Sequence, residues 1–194
     1  ILSEDAPAPV ACVARFDAML ARRAAREPIS HIAGEVAFWG RSFLCDRRAL
    51  APRPDSATLI AAALAWGRAQ ASPPSGIADL GTGTGCLILT LLAEWPHARG
   101  VGIDLSPDAL TLAAENAARL ELGPRVRLAR GDWLAGEDGP FDLIVSNPPY
   151  IETGVLASLD PEVRSIDPVL ALDGGRDGLV AYRALIPQAL AVLR

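Results

Sequence analysis

Ile77-Ala78-Asp79-Leu80-Gly81-Thr82-Gly83-Thr84-Gly85 is the stretch that decides the fold, because a short apolar strand runs into a glycine-rich turn. An apolar helical stretch, Cys86 to Trp95, follows at once. Three alternate glycines let the backbone pass close to a ligand at the N-terminus of that helix. The spacing G-x-G-x-G is one residue short of the dinucleotide fingerprint G-x-G-x-x-G. The stretch predicts either a ligand-binding turn or, as the simpler alternative, a tight connection without a ligand.

The next predicted strand, Gly100 to Ile103, ends at an acidic residue, Asp104. This residue lies about twenty positions beyond the glycines, where a carboxylate can accept hydrogen bonds from both hydroxyls of a ribose. An ordinary strand-end residue is the alternative. The glycine turn and the carboxylate of Asp104 together indicate a site for a nucleoside. The absence of a longer phosphate-binding loop favours a nucleoside without a pyrophosphate. S-adenosylmethionine fits that description.

Strands alternate with helices over the rest of the chain, which predicts an α/β fold with a doubly wound, Rossmann-like parallel sheet. The pattern predicts strands at Ile77 to Leu80, Gly100 to Ile103, Val126 to Ala129 and Phe141 to Val145. It predicts helices at Ala57 to Arg68, capped by Asp55 or Ser56, and at Leu179 to Leu193, disturbed near Pro187. Glu152 to Gly178 is expected to be irregular.

The helix after Asp104 has a clear predicted start, with Ser106 as N-cap and Pro107 as the first helical residue. Gly123 is a plausible stop. The apolar spacing predicts that one face of this helix is buried, namely Leu110, Ala113, Ala114 and Ala117.

Asn147-Pro148-Pro149-Tyr150 follows the last predicted strand of the sheet and predicts a rigid polar tip. Two consecutive prolines cannot continue a sheet ladder, and they restrict the backbone just after Asn147. The tip brings an amide side chain, a carbonyl and an aromatic ring together at the carboxyl end of a strand, where open α/β sheets bind ligands. This chemistry suits a planar NH2 group, although a plain surface turn uses the same residue types.

The combination of motifs resembles the glutamine N5-methyltransferases that modify peptide chain release factors. The residues that carry the resemblance are Asp79 to Gly85, Asp104, Gly131-Asp132-Trp133, Asn147 to Tyr150, Gly34 to Gly40 and Pro52-Arg53-Pro54-Asp55. It extends from about Pro28 to Arg194 and includes Leu159 to Val163, Leu172 to Gly175 and Asp177 to Leu179. The family usually continues with Thr-Glu after the acidic residue of the Pro-Arg-Pro-Asp element, whereas Ser56-Ala57 follows Asp55 here, so no acidic role carries over to residue 57.

The resemblance implies a class I methyltransferase fold, S-adenosylmethionine as the cofactor and a release factor as the protein substrate. For catalysis it implies Asn147, Pro148 and Tyr150. For cofactor binding it implies Gly81, Thr82, Gly83, Thr84, Gly85, Asp104, Asp132, Trp133 and Asn147, with Trp133 either flanking the adenine or serving as a core residue. For the substrate it implies Asn147, Pro148, Pro149, Tyr150, Ile151 and Arg53.

Three segments are expected. Residues 1–33 form the end of an N-terminal helical domain, in which Ala11 to Arg26 is an amphipathic helix with Val13, Phe16, Leu20 and Ala24 toward a core. Residues 34–54 form a β-hairpin linker, and residues 55–194 form the methyltransferase domain. Further strands of the fold are expected beyond Arg194, which would leave the strand that ends at Ser146 without a neighbour on one side.

Composition agrees with a cytoplasmic enzyme without a metal or a membrane. The sequence does not determine the oligomeric state, and a monomer is the favoured expectation. Residues 1–10 do not resemble a signal peptide, and Cys12, Cys45 and Cys86 lack the spacing of a zinc site. The net charge of −5 disfavours a nucleic-acid partner. It does not eliminate the first alternative, an N-methyltransferase for adenine or cytosine that uses a flipped base. The second alternative is a non-catalytic fragment with the same fold, and an NAD-dependent oxidoreductase is disfavoured by the glycine spacing.

Overall fold

A computed structural model describes residues 9–194 and places a four-stranded parallel sheet at the centre of the molecule. Its strands are β3 (Gly76–Leu80), β4 (Arg99–Asp104), β5 (Val126–Arg130) and β6 (Leu143–Ser146), in the order β5-β4-β3-β6. A separate antiparallel hairpin comprises β1 (Glu35–Phe38) and β2 (Arg41–Leu44). The helices are α1 (Val10–Ala24), α2 (Ile29–Ala33), α3 (Ala57–Ala69), α4 (Cys86–Glu94), α5 (Pro107–Arg119), α6 (Pro161–Ile166) and α7 (Val180–Val192).

Both faces of the sheet are covered, as a doubly wound fold requires. Alternate residues of β3 point to opposite faces. Ile77 packs with α3 and α4, whereas Ala78 and Leu80 pack with Leu185 of α7. The register places Leu80 opposite Ile103 of β4 and Ser146 of β6, so the carboxyl ends of these three strands lie side by side. The predicted α/β fold and all four predicted strands are confirmed.

The hairpin packs against the same core as the sheet. Phe43 is fully buried, and its ring meets Phe38 edge-on at 6.2 Å between ring centroids. Asn116 of α5 binds the end of the hairpin, because its Oδ1 accepts from Leu44 N at 2.6 Å and its Nδ2 donates to Leu44 O at 3.2 Å. The domain boundaries at residues 33 and 54 stay predictions.

Helix α5 differs from its prediction in its buried face and its end. Ser106 caps it as predicted, accepting from Ala109 N at 3.2 Å. Ala113 and Ala117 are buried as predicted, but Leu110 is only half-buried and Ala114 is exposed; the other buried positions are Ala109, Leu112 and Asn116. The observed buried face is rotated relative to this prediction and includes Asn116, whose amide binds Leu44. Gly123 is not the stop: the helix ends at Arg119, and Glu121 takes the left-handed conformation, with φ of +58°.

Two other local predictions need correction. Neither Asp55 nor Ser56 makes a side-chain cap for α3, because a 3-10 turn, Pro54–Ser56, leads directly into that helix. The segment between Glu152 and Gly178 is not irregular, since it holds α6 and the 3-10 turns Thr153–Ser158 and Val169–Ala171. The predicted last helix is present as α7 and contains Pro187 within its span, and the disturbance near Pro187 stays a prediction.

Helix α1 has no buried residue. The apolar pattern predicted a buried face for this helix, yet its members are exposed: Val13 by 44%, Phe16 by 63% and Leu20 by 54%. Ala24 is exposed as well. The core prediction is therefore wrong for the part of the chain that the structure describes. The interpretation of residues 1–10 falls almost entirely outside the described residues. No helix within 9–194 is long and apolar enough to cross a membrane.

Candidate functional site

The glycine turn between β3 and α4 needs glycine for its backbone conformation. Gly81, Gly83 and Gly85 have φ of +71°, +55° and +79°, a region that residues with a side chain rarely adopt. The amides of Gly81 and Thr82 both donate to Ile103 O, each at 2.9 Å. The turn is therefore fastened to the end of β4, beside the acidic residue that the sequence singled out.

Asp104 holds the turn from the other side. Its Oδ2 accepts from Gly83 N and its Oδ1 accepts from Ser106 N, each at 2.9 Å. The carboxylate thus bridges the glycine turn and the start of α5. Each oxygen keeps a lone pair for a ligand, because a carboxylate offers about four acceptor positions.

A cavity opens above the carboxyl ends of the strands, where parallel α/β sheets bind ligands. Its empty volume, including the part open to solvent, is about 1040 Å³. The wall is mainly apolar, with a carboxylate and backbone groups at one side. It is lined by residues 48–53, Ser56, residues 81–84, 86–87 and 103–106, Ala109, residues 131–133, Asn147, Pro149, Pro168 and residues 170–171.

The cavity collects most of the predicted cofactor residues. Gly81 to Thr84, Asp104, Asp132, Trp133 and Asn147 all lie on its wall. Gly85 does not. A side chain there would meet Leu89 Cδ1 at 3.0 Å, so this glycine serves the packing of α4. Trp133 is half-buried and adopts φ of +56°, which is uncommon for a large side chain.

Only two of the four residues of the Asn-Pro-Pro-Tyr tip line the same cavity. Ser146 Oγ donates to Leu80 O at 2.7 Å, which fixes the start of the tip against the end of β3. Asn147 and Pro149 line the cavity, whereas Pro148, Tyr150 and Ile151 do not. Pro148 is buried and Tyr150 is 60% exposed, so the aromatic ring is open to a large partner.

Arg53 was predicted to contact the substrate, and the structure gives it a partner within the chain. It lies on the cavity wall, and one of its guanidinium nitrogens reaches Asp167 Oδ2 at 2.8 Å. The cavity wall also contains residues that the sequence did not suggest, from the segments 49–51 and 168–171. Their apolar composition carries no signal of a ligand.

Asp79 is a buried acid beneath the glycine turn. Its Oδ2 accepts from Thr82 Oγ1 at 2.7 Å and from Ile88 N at 3.3 Å, and its Oδ1 has no partner among the described residues. Burial raises the pKa of Asp79 to about 7, against the lowering effect of the Thr82 and Ile88 hydrogen bonds. The sequence indicated this residue only as part of the glycine motif.

Cys86 lies on the cavity wall, but burial raises the pKa of its thiol to about 12, so it stays protonated and unreactive at neutral pH. Within residues 9–194, no three His, Cys, Asp or Glu side chains are arranged to hold a metal ion. The cavity wall presents amide, carbonyl, carboxylate, hydroxyl, guanidinium and aromatic groups.

Comparison with protein families identifies this arrangement. The family model described as methyltransferase small domain matches residues 58–160, which is more than half of the chain. The chain belongs to the methyltransferase small domain family. The match spans the glycine turn, Asp104 and the Asn147–Tyr150 tip, so all three motifs that predicted the site lie within the methyltransferase domain.

Individual relatives carry a more specific description. The chain is 52% identical over 188 residues to the release factor glutamine methyltransferase of Cereibacter sphaeroides, covering 97% of this chain and 66% of the relative. It is 47% identical over 186 residues to the protein of that description from Caulobacter vibrioides, covering 94% and 63%. The chain thus spans slightly less than two thirds of the length of these methyltransferases.

A solved structure supports the fold. The hMettl16 catalytic domain, in complex with MAT2A 3'UTR hairpin 6, superposes with a TM-score of 0.62 at 14% identity, covering 92% of this chain and 76% of that chain. At this identity the likeness concerns only the α/β methyltransferase architecture.

Proposed function

We propose that this protein transfers a methyl group from S-adenosylmethionine to the side-chain N5 of the glutamine in the Gly-Gly-Gln motif of peptide chain release factors. The observation that carries the proposal is the meeting of Asn147, Asp104 and the glycine turn at one cavity. About 50% identity to release factor glutamine methyltransferases supports the choice of substrate. The proposal places the protein in the cytoplasm, where release factors act, and treats it as a monomer.

The cavity fits the proposed cofactor. Asp104 would accept hydrogen bonds from the ribose hydroxyls, and the backbone of Gly81 to Gly83 would pass close to the ribose and methionine portions. Leu105, Ala109 and Trp133 supply apolar wall for the adenine. When bound, S-adenosylmethionine supplies an electrophilic methyl on its sulfonium sulfur.

The tip would position the acceptor amide. An amide nitrogen is a poor nucleophile, because its lone pair is delocalised into the carbonyl group. The side-chain oxygen of Asn147 and the carbonyl of Pro148 would accept hydrogen bonds from the two N–H groups and so orient the nitrogen. The exposed face of Tyr150 would pack against the flat amide, and Ile151 would support it. Because the nitrogen is cationic after transfer, its proton can leave to water, and no strong base is required.

Mass spectrometry of a release factor after incubation with the protein and labelled S-adenosylmethionine tests the proposal. A single methyl on the Gly-Gly-Gln glutamine is expected. A release factor with Glu in place of that Gln should stay unmodified, because a carboxylate offers no N–H and places negative charge against two acceptor oxygens.

The two alternatives predict different results in the same assay. Transfer to adenine in DNA or RNA, with an unmodified release factor, would replace the proposal with the base-methylating one. Binding of S-adenosylhomocysteine without transfer to any acceptor would indicate a non-catalytic fragment. Added DNA or tRNA should neither accept methyl nor compete with the release factor.

A further inference from the structure

The segment Leu172–Gly178 packs against the end of the Asn-Pro-Pro-Tyr tip and hydrogen-bonds to the residue that follows it. We call Leu172–Gly178 the glycine clamp. Ile151 forms a parallel bridge with Asp173, in which Ile151 N donates to Leu172 O at 3.0 Å and Gly174 N donates to Ile151 O at 2.8 Å. Thr153 N then donates to Gly175 O at 2.9 Å. The residues that follow the tip are thus held by backbone hydrogen bonds to the clamp.

Two glycines of the clamp touch the tip where no side chain could fit. A Cβ on Gly174 would lie 2.7 Å from Tyr150 Cα and 2.8 Å from Tyr150 C. A Cβ on Gly178 would lie 2.4 Å from Tyr150 O, and this glycine has φ of +71°. All these atoms belong to the backbone, which cannot swing aside as a flexible side chain can. The fit therefore depends on glycine at both positions.

Polar contacts give the clamp its own shape. Asp173 Oδ1 accepts from Thr153 Oγ1 at 2.6 Å and from Gly175 N at 2.9 Å, and these bonds lower the pKa of Asp173. At the other end, Val180 N donates to Gly174 O at 3.1 Å, which joins the clamp to the start of α7. Hydrogen bonds thus fix the clamp on both sides of its contact with Tyr150.

We propose that Gly174 and Gly178 are positioning residues for methyl transfer, because their missing side chains let the clamp hold the Asn147–Tyr150 tip at the cavity. The inference rests on the proposed function. Asn147 and Pro148 can orient an acceptor amide only if the tip backbone keeps one place relative to the cofactor site. A misplacement of about 1 Å in such a geometry can lower the rate by about a hundredfold. The clamp supplies the restraint from outside the cavity.

Two substitutions test the clamp, each with a matched control. Gly174→Ala introduces a Cβ against the tip without a positive φ. Gly123→Ala is its control, since a Cβ there would meet no atom of residues 9–194 within 4 Å. Gly178→Ala adds the cost of a positive φ, which Gly136→Ala shares at φ of +86° in open space. The measurements are kcat with a release factor, the affinity for S-adenosylhomocysteine, thermal unfolding and amide hydrogen exchange of residues 147–153.

We expect both clamp variants to lose kcat by roughly 30- to 100-fold, with S-adenosylhomocysteine affinity within about threefold of the wild type and faster exchange at Ile151. The control variants should keep kcat and the slow exchange. If a clamp variant does not fold, Asp173→Asn weakens the hydrogen bonds that fix the clamp without adding an atom, and a smaller loss of kcat is expected. Clamp variants that match their controls in kcat and in exchange would overturn the inference. A wild-type protein that methylates no release factor would refute the proposed function, whereas hydrogen exchange would still decide whether the clamp holds the tip.

Discussion

Arg53 and Asp167 form an ion pair at the rim of the cavity, with 2.8 Å between the guanidinium nitrogen and Oδ2. The two side chains differ in exposure, 47% for Arg53 and 2% for Asp167. The pair joins the Pro52–Pro54 segment to the segment that begins at Pro168, and both contribute to the cavity wall. Arg53 therefore holds the wall together, whether or not it also meets a substrate.

Replacing Arg53 by Ala should destabilise the protein in a pH-dependent way. Burial already raises the pKa of Asp167, and loss of the guanidinium should raise that pKa further. At pH 7 we expect a loss of about 1 to 3 kcal/mol, which is less than a fully buried pair would give because Arg53 is half exposed. Near pH 4 the protonated carboxyl needs no cation, so the loss should shrink. Urea unfolding at both pH values measures this, and equal losses would contradict it.

Asp79 should make the free energy of unfolding fall as the pH rises from about 4 to about 8. Its pKa in the folded protein is about 7, above the ordinary value of 3.8, so the unfolded chain releases this proton at lower pH than the folded one. The wild type should therefore lose up to about 4 kcal/mol relative to Asp79→Asn across this range, with no further change once Asp79 is ionised in the folded protein. Chemical denaturation of both proteins from pH 4 to 8 is the measurement. A constant difference would show that Asp79 does not carry the proton.

Asp104→Ala should weaken the binding of both S-adenosylmethionine and S-adenosylhomocysteine by roughly 1 to 3 kcal/mol. The loss has two sources: the ribose acceptor disappears, and Gly83 N and Ser106 N lose the oxygens to which they donate. Isothermal titration calorimetry measures the affinity. The control is Asp108→Ala, at an exposed position in the first turn of α5. An unchanged affinity in the Asp104 variant would remove this residue from the cofactor site.

Asn147→Ala should abolish transfer and leave the affinity for S-adenosylhomocysteine within a few-fold, because the side chain is assigned mainly to the acceptor amide. Steady-state rates together with calorimetry separate the two effects. Near wild-type turnover in this variant would refute the assigned role.

Tyr150→Ala should raise the KM for the release factor, because the ring is 60% exposed and offers its face to the acceptor. Tyr150→Phe keeps the ring and should be far milder. If both substitutions raise KM to the same extent, then the hydroxyl group, and not the ring face, makes the contact.

The features that the sequence predicted correctly are those that short-range spacing determines. Alternate glycines permit the positive φ that this turn adopts, Ser106 and Pro107 specify a helix start by themselves, and consecutive prolines end a strand. Gly81 to Thr84, Asp104 and Asn147 could therefore be placed at one end of the sheet before any contact was known.

The features that the sequence missed depend on contacts between distant positions. Asn116 reaches Leu44, 72 residues away, and also donates from Nδ2 to Thr84 O at 2.9 Å. Nothing local distinguishes it from a surface Asn, so the sequence alone does not show that α5 buries this residue. Asp167 pairs with a residue 114 positions away, and the apolar rim at 168–171 has no ligand chemistry of its own.

The cavity wall is assembled from segments that begin at Arg48 and end at Ala171, so no contiguous piece of the chain carries the binding surface. This surface does not exist in the unfolded chain. A ligand that binds it therefore binds only the folded protein and shifts the folding equilibrium toward the native state. At a concentration one hundred times its dissociation constant, such a ligand adds about 2.7 kcal/mol to the free energy of unfolding. The midpoint of thermal unfolding thus becomes a titratable reporter of nucleoside occupancy, even for variants that have lost all turnover.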